Sequence, residues 1–185
     1  MTDKNQWRAH FRNEWARLVI DKKSFEQQRQ ALLHNLTAFL KTQSGLWSTY
    51  QALPSEISLA EIPEQLTHLK WVYPKVEGHD LHFYGAGPRG FETAYAGIKE
   101  PIVESADEVT VSQITGFLIP GLGFDESGMR LGKGKGFFDR ALSVANGIKV
   151  GVTFSSLVTK SLPHEPHDIP MDVVVTEKGV WTKWK

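Results

Sequence analysis

The chain has 185 residues, 41% apolar and 23% charged, with 21 Lys plus Arg against 21 Asp plus Glu. That is the make-up of one globular domain and excludes a disordered tail, a collagen-like chain or a long coiled coil. The zero formal charge gives no global pull towards nucleic acid or an anionic membrane, and the absence of cysteine excludes disulfides, thiolate metal sites and a cysteine nucleophile.

Residues 1–30 hold seven basic and four acidic side chains, whereas residues 80–110 hold two and six. No uncharged apolar core of signal-peptide type lies at the start, and no apolar run approaches the roughly 18 residues of a membrane span. The expectation is a soluble cytoplasmic protein with no membrane or nucleic-acid partner.

Residues 3–20 read as a helix, because Trp7, Phe11, Trp15 and Leu18 recur at helical spacing. Lys4, Arg8 and Arg12 stack beside that stripe. A solvated basic face and an arm that carries cations to an anion both fit. A second helix is predicted over 24–41, with Ser24 as N-cap and Gln27 in the capping-box position. Strands are predicted at 46–50 and 69–73, with Pro74 ending the latter, and a short helix at 58–66 broken near Pro63. Further strands are expected at 81–84, 148–154 and 173–176. Ile114–Pro120 reads as the buried central strand. Helices are expected over 136–145 and around 156–162. Strands alternating with helices predict an α/β fold with a mostly parallel sheet, in one domain over 1–185.

The densest chemical signal is residues 120–140, which follow the central strand and carry Gly121, Gly123, Gly128, Gly132, Gly134 and Gly136. Glycine lets backbone N–H groups converge on an anion, and Lys133, Lys135 and Arg130 add positive charge. This reads as a phosphate cradle. It is not a Walker A loop, since no glycine lies five positions before Gly134-Lys135. Asp139 suits a magnesium ligand and equally suits the first turn of a helix. Gly85–Gly90 matches G-x-G-x-x-G, but Pro88 removes an N–H, so a loop or hairpin is the better reading. His79, His82, His164 and His167 lack zinc-helix spacing.

The run from Gly121 to Asp139 resembles the signature of the 5-formyltetrahydrofolate cyclo-ligase (5,10-methenyltetrahydrofolate synthetase) family. The likeness extends over nearly the whole chain. Lys4-x-x-x-Arg8, Leu53–Ile57, Gly97–Pro101, and His167-Asp168 followed by residues 172–177 are also similar to family segments. The resemblance implies a three-layer α/β/α sandwich. It further implies ATP- and Mg-dependent closure of 5-formyltetrahydrofolate to 5,10-methenyltetrahydrofolate by a monomeric enzyme.

Carried over by position, Lys4, Arg8, Arg130, Leu131, Gly132, Lys133, Gly134, Lys135, Gly136, Phe137 and Phe138 would bind ATP. Gln51, Glu56, Lys133, Gly134, Lys135, Gly136 and Phe137 would face the folate. Lys135 and Arg130 would be catalytic, and Asp139 and Asp168 would hold Mg²⁺. Phe137-Phe138 replaces a pair that is usually Tyr-Tyr. Ser156-Leu157 stands where many relatives carry glutamine, and Gln51 is polar where an apolar residue is common. Two other readings fit the same residues: an ATP-dependent ligase acting on another small molecule, and a non-catalytic folate- or nucleotide-binding relative that grips RNA through its Lys and aromatic run.

Overall fold

The computed structural model describes residues 3–85, 90–93, 97, 99–102 and 108–182. Helix α1 (Lys4–Leu18) opens the chain, capped by Asp3, whose carboxylate accepts from the Asn5 and Gln6 N–H groups. Helix α2 (Lys22–Leu40) follows after the three residues 19–21. Its N-cap is Asp21 rather than Ser24, because the Asp21 carboxylate already accepts from the Lys23 and Ser24 N–H groups.

Eight strands form one sheet: β1 (Leu46–Ser48), β2 (Lys70–Glu77), β3 (Asp80–Gly85), β6 (Glu108–Val109), β7 (Gly116–Pro120), β10 (Ile148–Val152), β12 (Val173–Thr176) and β13 (Gly179–Thr182). Their spatial order is β13-β12-β10-β7-β1-β2-β3-β6. The five central strands are parallel, and antiparallel hairpins complete both edges.

Alternation along the strands splits the core into two layers. Leu118, Val150, Val152, Val173 and Val175 join Phe11, Leu32, Leu36 and Leu40 of the first two helices on one face. Phe117, Ile119, Val72 and Val174 join Ala141 and Leu142 on the other. Those two belong to α4 (Phe137–Ser143). Every residue of β7 is buried, as its continuous apolar run predicts. The result is a helix–sheet–helix sandwich. No helix among the described residues is long and apolar enough to cross a membrane.

Several local expectations change. Pro74 does not end β2, which continues to Glu77. Beyond Val72 strand β1 has stopped, so only β3 still needs ladder bonds there. The Val76 N–H, on Pro74's side of the strand, is met by the buried Glu100 carboxylate. Glu100 lies in β5 (Lys99–Pro101), which pairs with β4 (Phe91–Thr93). Pro63 does not break α3 (Glu61–Gln65), because it sits in the first turn, where its missing N–H has no intrahelical partner. The helix predicted over 156–162 is a 3₁₀ turn, Ser155–Leu157, followed by β11 (Val158–Thr159). Residues 86–89 of the G-x-G-x-x-G match lie outside the described residues.

Candidate active site

Strand β1 has β2 on one side and β7 on the other, and the chain departs in opposite directions from this pair. That is a topological switch point, where α/β sheets open a crevice at the carboxyl ends of their strands. Two loops meet there, residues 49–60 after β1 and residues 121–136 after β7.

In the first loop the Leu53 N–H donates to Glu56 Oε2 (3.0 Å), and the Tyr50 hydroxyl donates to the Ile57 carbonyl (2.9 Å). Burial pushes the Tyr50 phenol well above its ordinary pKa, and the Glu56 charge adds to it. Beside this turn lies a cleft of about 200 Å³ lined by Tyr50, Gln51, Leu59, Pro63, Tyr73 and Phe91. The Phe91 ring meets Tyr73 edge-on at 4.7 Å.

The glycine-rich run divides into two parts. Residues 123–131 form a tight hairpin of β8 (Gly123–Asp125) and β9 (Arg130–Leu131). Buried Asp125 holds it, accepting from the Ser127 N–H and hydroxyl, the Met129 N–H and, across the fold, the Leu162 N–H. Asp-Glu-Ser-Gly is turn chemistry, and that was the available signal. Leu131 is buried, with its carbonyl taken by the Leu122 N–H. The open cradle is therefore the shorter stretch Gly132–Gly136. Gly134 (φ 100°) and Gly136 (φ 68°) occupy the left-handed region, which a side chain would strain.

Cations from distant parts of the chain converge on that stretch. Arg8 Nε donates to the Gly132 carbonyl at 3.1 Å, and Gly134 lies against its guanidinium. Lys133 Nζ reaches Glu56 Oε1 at 2.7 Å. Lys135 makes no side-chain ion pair or hydrogen bond among the described residues and presents a whole positive charge. Arg130 is only 5% exposed, and its guanidinium lies so close to Gly132 that a Cβ there would come within 2.8 Å of Nη1. Its Nη2 donates to both Asp139 oxygens at 3.0 and 3.1 Å, and its guanidinium stands 5.5 Å over the Phe138 ring. Phe137 carries Arg140 on its face at 5.4 Å. The two rings are thus occupied by cations of the protein itself.

One helical turn before Arg8, Lys4 Nζ donates to Asp168 Oδ2 at 2.6 Å and lies 3.4 Å from Glu165. Asp168 Oδ2 also accepts from the Glu165 N–H at 2.6 Å. Burial opposes ionisation of Asp168, but these bonds and the charges of Lys4 and His167 outweigh it, and its pKa falls below the ordinary value. Asp139 and Asp168 each take a cation as partner. No group of three or more His, Cys, Asp or Glu gathers as a metal cage among the described residues. Both Asp139 oxygens are taken by Arg130, and Asp168 Oδ2 by Lys4 and the Glu165 N–H, so a metal ion at either carboxylate would displace a cation already there. The histidines are dispersed: His82 pairs with Glu108 and His167 with Glu165.

The family model of the 5-formyltetrahydrofolate cyclo-ligases matches residues 1–177. The Escherichia coli K12 protein of that name is 38% identical over 87 residues, which are 45% of this chain and 48% of that protein. In that pairing the chain spans about half the length of the curated relative, as it also does for the Mycolicibacterium smegmatis one, 48% of which is covered. With the Haemophilus influenzae protein of the same name the match is 24% over 183 residues, covering 92% of this chain and 98% of that protein. Among solved structures, Aquifex aeolicus 5,10-methenyltetrahydrofolate synthetase superposes with a TM-score of 0.80 at 32% identity, over 98% of this chain and 93% of that one. The Mycoplasma pneumoniae synthetase shares the fold, with a TM-score of 0.78 at 23% identity over 95% of this chain and 99% of that one.

Proposed function

The chain belongs to the 5-formyltetrahydrofolate cyclo-ligase family, and from that premise we propose that residues 1–185 act as one ATP- and Mg-dependent domain closing 5-formyltetrahydrofolate to 5,10-methenyltetrahydrofolate, with release of ADP and phosphate. The observation that carries this reading is the bond from Arg8 to the Gly132 carbonyl, which brings the N-terminal basic helix onto the glycine cradle. A cradle of backbone N–H groups flanked by two basic segments, the N-terminal helix and the loop itself, suits a triphosphate.

In this reading the γ-phosphoryl group passes to the formyl oxygen, N10 of the folate attacks the activated carbon and loses its proton, and phosphate departs. Such a reaction needs positioning and charge stabilisation more than a protein nucleophile. Gly132–Gly136 cradle the triphosphate, with Lys4, Arg8 and Lys133 around it. Lys135, whose charge has no partner among the described residues, lies nearest the transferring group. Arg130, set against Gly132, joins Lys135 as a catalytic cation, and Phe138 flanks the nucleotide with it. Glu56 takes the donor edge of the pterin, and Gln51 lines the neighbouring cleft. Asp139 and Asp168 would hold Mg²⁺, which neutralises phosphate charge when bound.

Incubation with Mg²⁺, ATP and 5-formyltetrahydrofolate tests the reading, followed by near-UV absorbance of the methenyl product and by ADP formation. Absence of product from folded protein would refute it. Gel filtration tests the monomeric state, and cell fractionation the cytoplasmic location.

A further inference from the structure

Arg140 has no role in the site as described so far, yet it is the residue that ties the cradle to the sheet. Its Nη1 donates to the Lys135 carbonyl at 3.1 Å. Its Nη2 donates to the His79 carbonyl, and its Nε to Asp80 Oδ1 at 3.3 Å. Its guanidinium covers the Phe137 ring and packs so close to Gly136 that a Cβ there would come within 2.9 Å of Nη1. His79 lies in the turn of the β2–β3 hairpin, the longest strand pairing in the sheet, and Asp80 is the first residue of β3. One planar fork thus grips the open loop on one side and the β2–β3 hairpin on the other.

We infer that Arg140 is a positioning residue for Lys135. A lysine that acts on a developing phosphoryl charge has to be fixed without being neutralised. An ion pair to its ammonium would fix it but would compete with the phosphate. Arg140 holds it instead by the backbone carbonyl, whose carbon is bonded to the Lys135 Cα, and leaves the ammonium without a partner among the described residues. A loop that loses this tie keeps its charge but loses its geometry, and a misplacement of about 1 Å is enough to cost rate. The inference rests on the proposed reaction for its kinetic half only.

The experiment uses Arg140→Ala and Arg140→Lys, each alone and in a Lys135→Ala background. The side chain is 46% exposed, so its loss opens no core cavity. Arg140→Ala is expected to lower kcat roughly 10- to 100-fold while the KM for ATP moves by less than about threefold. Arg140→Lys keeps the charge without the fork and should not restore the rate. In the Lys135→Ala background, Arg140→Ala should cost nothing further, because the group it positions is gone. In the unliganded protein, amide hydrogen exchange at residues 133–137 should rise in Arg140→Ala and stay unchanged in β7 and β10.

A fully active Arg140→Lys, additive losses with Lys135→Ala, or a KM for ATP raised about tenfold or more would overturn the inference. The last result would make Arg140 a nucleotide ligand. Hydrogen exchange decides independently of turnover. An inactive wild-type protein refutes the proposed reaction, whereas unchanged exchange at 133–137 refutes the tie.

Discussion

Lys133 Nζ lies 2.7 Å from Glu56 Oε1, and this ion pair closes the crevice between the loop that leaves β1 and the loop that leaves β7. Glu56 is 11% exposed at its side chain and Lys133 36%. The pair therefore links the proposed folate side of the site to the proposed phosphate side. Glu56→Ala is expected to raise the folate KM at least about tenfold, by leaving buried donors of the pterin unpaired. ATP affinity should change far less. Lys133→Ala combined with it should show non-additive losses, since the residues touch. Steady-state kinetics with each substrate varied in turn checks both statements.

Lys135 carries the strongest catalytic expectation. On the proposed reaction its ammonium, which has no partner among the described residues, acts on charge that develops during transfer, so its loss should fall on kcat rather than on ATP binding. Lys135→Ala should lower kcat on the order of 10²-fold or more, as removal of a transition-state donor does. Turnover near the wild-type rate would show that this lysine is ordinary loop charge.

Asp139 and Asp168 separate by stability as well as by metal dependence. Asp139→Asn strips the counter-charge from Arg130, a guanidinium only 5% exposed. It should destabilise the fold by about 3 kcal/mol, the low end for breaking a buried pair. Asp168→Asn disturbs a more solvated pair with Lys4 and should cost about 1 kcal/mol. Each should raise the Mg²⁺ concentration needed for half-maximal rate, and the double variant should fall short of additivity if one ion serves both. Thermal unfolding and Mg²⁺ titration of activity separate the two effects.

A pH prediction comes from Arg29 of α2. Arg29 donates to Glu26, to Glu61 of α3 and to the Ser58 carbonyl, pinning the two helices together. Its hydrogen bonds hold Glu26 down to about 2, from an ordinary 4.5, and lower Glu61 as well. Carboxyl groups depressed in the folded state add stability above their unfolded pKa, and that stability is lost as pH falls through the folded values. Arg29→Met should therefore cost about 1 kcal/mol at neutral pH, given how exposed the carboxylates are. The gap between wild type and variant should close between about pH 4.5 and pH 2. A gap that persists undiminished at pH 2 would show that packing of the Arg29 stem, rather than charge, is responsible. Urea unfolding across that range measures it.

Local signals were enough for much of the fold. The Trp7, Phe11, Trp15, Leu18 stripe specified α1, and the run Ile114–Pro120 specified a buried central strand, of which Gly116–Pro120 is the part in the sheet. Helical and strand periods are properties of neighbouring residues, so they can be read without knowing the rest of the chain. The glycine and lysine pattern at 132–136 was legible for the same reason, because positive φ and turn chemistry are local. What the tertiary structure decided is which distant groups meet. Asp21 outcompeted Ser24 as a cap, and Pro74 was tolerated inside β2, because strand β1 ends at Ser48. The hairpin hidden in the glycine run depends on Asp125 reaching Leu162. Lys4 finds Asp168 across 164 residues, Arg8 finds Gly132 across 124, and Arg140 finds His79 across 61. No periodicity encodes such pairings. They follow from strand order, which sets β1 beside β7 and so brings their loops, and the helix packed over them, to one end of the sheet.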